Sequence, residues 1–147
     1  MLKLYTSYFA QLRNFPNNLI GLSTAVWNPK WLQPNRDKNG ALWLDIPPLK
    51  PGKNCDGLCN GQCNPRHPND CAFLNQYYQQ LKEIDIDKFI DKLNNLKLQI
   101  EQGEHLNNIE FAFLVYETPT NPCSERVIIQ KWLRENGIPI EEWEYIR

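Results

Sequence analysis

Nowhere in this chain do eighteen apolar residues run together, so no segment reads as a membrane-spanning helix. There is no excess of one charge either, since sixteen Lys and Arg stand against seventeen Asp and Glu. A protein that held nucleic acid through its overall field would show a strong surplus of basic residues, and this one does not. Internal repeats and low-complexity tracts are missing, which removes solenoids and arrays. The opening MLKLYTSYFAQL has one lysine and soon turns polar, with no apolar core ahead of a small-residue cleavage site. No export signal is therefore expected, and the expected location is a reducing cytoplasm. A glycine-rich phosphate loop, a Ser-His-Asp order and a paired-carboxylate motif are all lacking.

Cysteine, by contrast, is concentrated. Four of the five cysteines fall in CDGLCNGQCNPRHPNDC, at Cys55, Cys59, Cys63 and Cys71, separated by three, three and seven residues. Gly57, Gly61, Pro65 and Pro68 favour successive turns, which let the backbone fold around a point and aim thiolates inward. A disulfide framework is disfavoured by the odd total and by a chain long enough to bury a core without staples. The expectation is a metal held by these four thiolates. The donor set suits Zn2+ or a 4Fe-4S cluster about equally, because zinc tolerates such gaps and clusters often use a single loop. His67 could replace one sulfur, although softness favours thiolate.

The remaining pattern reads as one α/β domain over residues 1–147, a mostly parallel sheet flanked by helices, with residues 50–72 as the cysteine-rich insertion. Leu2 to Thr6 and Leu19 to Val26 have short-strand character. Pro29 to Lys53 reads as irregular because five prolines interrupt pairing, with Trp27, Trp31 and Trp43 packing it down. Apolar residues at steps of three and four predict two helices, one through Phe73, Tyr77 and Leu81, the other from Ile86 to Ile100, capped by Asp85 and stopped by Gly103. Ile109 to Tyr116 is a near-continuous apolar run of strand length and predicts the central strand. A helix over Cys123 to Glu135, the stop Asn136-Gly137 and a strand near Ile138 to Tyr145 complete a βαβ unit. Ligands of such sheets bind beyond the carboxyl ends of the strands, here near residues 6–9 and 117–122.

Cys123 stands at that edge where a helix should begin, and Arg126 lies three residues on. Free N–H groups and the helix dipole favour a thiolate or a bound anion there. The residues LVYETPTNPCSERVIIQKWLRENGI, with the opening KLYTSYFAQLRNFP, resemble the family called domain of unknown function 488. Members open with a strand ending in a Thr/Ser loop and close with a strand, a Glu and a Cys-His-Arg helix start; this chain has Cys-Ser-Glu-Arg instead. The resemblance implies an α/β fold whose Thr6, Ser7, Glu117, Cys123 and Arg126 converge, and it hints at nucleotide or nucleic-acid metabolism or host–virus conflict.

Two functions follow as expectations. In the first, an enzyme acts on a small anionic or nucleotide-like ligand, with Cys123 as nucleophile or redox thiol, Arg126 as anion clamp, Ser7 or Glu117 moving a proton, and Thr6, Ser7 and Arg126 binding the ligand. In the second, the same site only binds, the metal loop bracing its wall and Tyr5, Tyr8, Trp27 or Tyr116 stacking on a base. Nucleic-acid binding through Lys50, Lys53 and Arg66 of the metal loop ranks last. No membrane partner is expected.

Overall fold

The computed structural model describes residues 2–34, 41–56, 58, 71–121 and 123–145. Five short strands pair in the order β3-β2-β4-β1-β5, and every pairing is parallel. They are β1 Leu4–Tyr8, β2 Leu19–Ser23, β3 Trp43–Asp45, β4 Glu110–Val115 and β5 Glu141–Glu142. The apolar run expected to be central is central: β4 lies between β2 and β1 with Phe111 to Val115 all buried. Trp43–Asp45 was hidden by the prolines around it. Three residues carry too little periodicity to read as a strand, and β3 forms because β2 offers it a partner, Gly21 opposite Trp43.

Strand alternation divides the side chains between two faces. Leu4, Thr6, Ile20, Leu22, Phe111, Phe113 and Val115 share one face by register. Among the described residues the three α-helices, α1 Ala72–Lys82, α2 Ile86–Glu104 and α3 Glu125–Glu135, bury their apolar stripes in that core, through Leu74, Tyr77 and Leu81, through Phe89, Leu93 and Ile100, and through Ile128, Ile129, Trp132 and Leu133. Phe89 joins the layers, with its ring 5.4 Å from Trp132 and 6.4 Å from Phe113. Each such fully buried side chain stabilises the fold by about 1.5–3 kcal/mol relative to exposure.

The opposite face has no α-helix among the described residues. It is covered by the 3-10 segment Phe9–Asn14 and by the chain that follows β2, through a smaller cluster of Phe9, Leu12, Leu32, Trp43 and Leu114. Gly21 permits this close cover, because a Cβ there would lie 2.7 Å from Leu114 Cδ1 and 3.0 Å from Leu12 Cδ2.

The helix ends follow local chemistry. Asp85 caps α2 by accepting from Lys88 N. Its stop is His105, left-handed at φ 54°, and not Gly103, which lies inside the helix. After α3, Gly137 takes φ 76°, the conformation that glycine adopts without strain. At the other end α3 begins at Glu125, two residues after Cys123, because Ser124 takes the cap position. No described helix is long and apolar enough to cross a membrane.

Candidate functional site at the carboxyl edge of the sheet

Parallel pairing brings the carboxyl ends of β1, β2 and β4 to one edge, and α3 starts beside it. Arg126, in the first turn of α3, is only 3% exposed. Its Nε donates to Glu142 Oε1 at 2.5 Å, and its Nη2 donates to the Glu117 carbonyl at 2.8 Å. Thr6 Oγ1 donates to the same Glu142 oxygen at 2.8 Å and accepts from Gln130 Nε2 at 2.7 Å. One guanidinium and one carboxylate thus tie together β1, β5, α3 and the chain leaving β4. The Arg126 guanidinium also lies 5.9 Å from the centre of the Tyr8 ring. Arg126 Nη1 and Glu142 Oε2 are buried and have no hydrogen-bond partner among the described residues. Burial pushes the Glu142 carboxyl above its ordinary value, outweighing the Thr6 bond and the Arg126 charge that pull it down.

The start of α3 is a second polar layer. Ser124 Oγ accepts from Arg126 N at 3.2 Å and donates to Glu117 Oε2 at 3.1 Å. The helix N–H groups expected to receive an anion are therefore partly capped by the protein itself. Glu125, the first residue of α3, has its carboxyl pushed up to about 7, by burial first and by the Glu117 charge second, against its own backbone N–H and Arg126. Cys123 precedes the cap, with its N–H donating to Asn121 Oδ1 at 2.9 Å, and its sulfur is disulfide-bonded.

Of the residues expected to converge, Thr6, Glu117 and Arg126 do. Ser7 does not join them by its side chain: it sits in register with Leu114 on the opposite face, buried, its Oγ without a partner among the described residues. Sequence reasoning missed Glu142, Gln130, Ser124 and Glu125. Ser124 carried a usable signal, a serine immediately before an acidic residue and an apolar run. Glu142 carried none, since nothing local tells one glutamate of EEWE from another until β5 pairs Glu142 with Thr6.

One end of the cysteine-rich segment, at Cys55, lies near the head of α3. Cys55 closes the 3-10 turn Lys53–Cys55, is buried in the helix-side core, and has Sγ 3.8 Å from Gln80 Oε1 of α1. Burial pushes its thiol up, and the charges of Asp56 and Glu125 add to this against the Gly52 backbone bond. Buried Tyr77 feels both Glu125 and Cys55, so the turn before the loop, α1 and the head of α3 are electrostatic neighbours. Cys71 is the N-cap of α1, its Sγ accepting from Leu74 N at 3.5 Å. Both sulfurs are free thiols. Cys59, Cys63, His67 and Arg66 lie outside the described residues, and among the described residues no three His, Cys, Asp or Glu are grouped to hold a metal ion. Lys50 is occupied within the fold, bonding Asp45 Oδ1 at 2.8 Å and the Ala25 carbonyl.

Among the described residues are two surface recesses, of which the second includes Glu142 of the site. One of about 520 Å³ has an apolar floor of Ile46, Pro47, Pro48, Phe89, Leu93 and Leu96, with Lys92, Asn95 and Gln99 of α2 also lining it. One of about 600 Å³ runs along β5, where Glu141, Glu142 and Glu144 outnumber Arg134 and disfavour an anion.

No family model, curated protein or solved structure matches this chain. The reading of the site thus depends on its geometry. Among the described residues, the polar atoms of this network left without a partner are Arg126 Nη1 and Glu142 Oε2.

Proposed function

We propose that this protein binds a nucleotide-type ligand at the carboxyl edge of its sheet, with Arg126 Nη1 receiving a phosphate or carbonyl oxygen and Glu142 Oε2 accepting from a hydroxyl or N–H. The observation that carries the reading is the pair of buried, unpartnered polar atoms on side chains that are otherwise locked in place. A buried donor and acceptor left unmet cost about 1–3 kcal/mol each, and a ligand that meets both recovers that cost. Thr6 and Gln130 hold Glu142, and Glu117 and Ser124 hold the first turn of α3, so these are positioning residues. The resemblance to the domain of unknown function 488 points the same way.

Binding is favoured over thiol chemistry, because the disulfide at Cys123 leaves no thiolate at the helix start until it is reduced. Reduction would return the enzyme reading, with Cys123 as nucleophile and Glu125 as base.

In the reduced protein, with the Cys123 disulfide opened, the cysteine segment is proposed to hold Zn2+ or a 4Fe-4S cluster through Cys55, Cys59, Cys63 and Cys71, as a brace for the adjoining wall. Two observations favour it: Cys55 and Cys71 are free thiols anchored on rigid elements at the two ends of the segment, and the N-cap position of Cys71 favours the negative charge of a ligating thiolate. Such a metal would supply structural closure, or an electron if it is a cluster.

Calorimetric titration with nucleoside mono-, di- and triphosphates tests the ligand reading. Saturable heat that Arg126→Lys reduces supports it, and no heat with any of them at millimolar concentration refutes it. Anaerobic purification followed by metal and sulfide analysis tests the brace: brown protein indicates iron and sulfur, colourless protein with one bound zinc indicates zinc, and metal-free protein removes the brace.

A further inference from the structure

Several large apolar side chains stand in solvent on the carboxyl edge itself. Trp27 is 82% exposed, Trp31 54%, Tyr116 53% and Val26 51%. The first two and Val26 belong to the chain leaving β2, and Tyr116 is the first residue after β4, its neighbour in the sheet. They are exposed but not loose. The Tyr116 hydroxyl donates to the Trp27 carbonyl, and its ring centroid lies 5.2 Å from that of Phe9. Leu32 is buried in the opposite-face cluster and its N–H closes a turn on Pro29 at 3.1 Å, which pins the segment carrying Trp27 and Trp31. Exposed rings carried on a held backbone are poorly placed in water alone and well placed for a flat partner.

The rings are continuous with the Arg126 site. Where β4 ends, Tyr116 turns its ring towards Phe9, while the carbonyl of the next residue, Glu117, accepts from Arg126 Nη2 at 2.8 Å. Where β1 ends, Tyr8 lies under the Arg126 guanidinium and the next residue, Phe9, lies against Tyr116. At two strand ends, then, one peptide link separates the aromatic patch from the polar network.

We infer that Trp27 and Tyr116 form a stacking platform for the base of a nucleobase-containing ligand whose polar part is held at Arg126 and Glu142. This deepens the ligand-binding reading and rests on it. Stacking suits any base, because every base presents a π-face, so the platform supplies affinity and little sequence selectivity. The base can belong to a free nucleotide or to a single strand, and the test separates the two.

The whole protein is titrated with adenosine monophosphate, with a short single-stranded oligonucleotide and with inorganic phosphate, followed by tryptophan fluorescence and by calorimetry. Base-containing ligands should quench the fluorescence. Trp27→Ala should weaken their binding by about 5- to 150-fold, the range measured for loss of one stacked base, while leaving any affinity for inorganic phosphate unchanged. Tyr116→Leu should do the same and Tyr116→Phe should not, since only the latter keeps the ring. Affinity that grows with strand length and falls steeply with salt assigns the base to a strand; equal affinity for the mononucleotide assigns it to a free nucleotide. Binding of adenosine monophosphate that Trp27→Ala leaves intact overturns the platform. So does self-association that Trp27→Ala abolishes without any effect on nucleotide, which would assign the patch to a second copy of the chain. Should Trp27→Ala weaken binding while Arg126→Lys does not, the platform stands and the Arg126 reading falls.

Discussion

Replacing Glu125 with glutamine should make the protein more stable at neutral and alkaline pH and leave it nearly unchanged in mild acid. The carboxyl is held up from 4.5 to about 7, because burial and the Glu117 charge outweigh its backbone N–H and Arg126. That corresponds to about 3 kcal/mol of preference for the neutral form in the folded state. The sign follows from proton counting. Below 4.5 both folded and unfolded chains carry the proton and nothing is lost. Between 4.5 and about 7 the unfolded chain releases it first, so stability falls as pH rises, and above that window the full cost is present. Glutamine keeps the shape and cannot ionise. Since the side chain is not wholly buried and can relax towards water, the gain expected near pH 8 is about 1–3 kcal/mol, shrinking to a few tenths near pH 5. Urea denaturation of both proteins at the two pH values, followed by tryptophan fluorescence, measures it. Glu142, also pushed up by burial, contributes equally to both proteins and cancels in the difference. Stability curves that stay parallel from pH 5 to pH 8 would refute the reasoning, because they would mean that Glu125 ionises in the folded protein as freely as in the unfolded chain.

Arg126→Met should cost about 3–5 kcal/mol in the same assay, since it strands the Glu142 carboxylate in a buried position. Arg126→Lys should cost less, keeping the charge but losing the fork that reaches Glu142 and the Glu117 carbonyl together. Gly21→Ala should lower stability by about 1–3 kcal/mol, because the new methyl meets Leu114 and Leu12 and one of them must leave its rotamer; an unchanged thermal midpoint would show that the cover over β2 is looser than described. Tyr77→Phe should cost about 1–3 kcal/mol, as the fully buried hydroxyl bonds the Leu49 carbonyl and its loss leaves that oxygen unmet, with urea midpoints as the measure.

Local patterns located most of the framework. The apolar run Ile109 to Tyr116 announced a buried strand, and three- and four-residue spacing announced α1 and α2 nearly to their ends, because burial on one face of a helix or both faces of a strand imposes those periods. The strand Trp43–Asp45 was not legible, since its only support is the hydrogen bonding supplied by β2. The place of Arg126 at a helix start after the strongest strand was legible. That its charge is met by Glu142 was not, and this changes its chemistry from an open anion clamp to a paired hub whose Nη1 has no partner among the described residues.

By itself, then, the sequence determined the class of fold, the central strand and the helix bearing Arg126, all of which follow from hydrophobic period, caps and the geometry of parallel crossovers. The tertiary structure decided the partners. Thr6 meets Glu142 across 136 positions, Tyr116 reaches back 89 positions to Trp27, and Ser7 is turned to the face away from Thr6 although it is the next residue. Register and long-range packing set such contacts, and neither leaves a trace in the neighbouring residues.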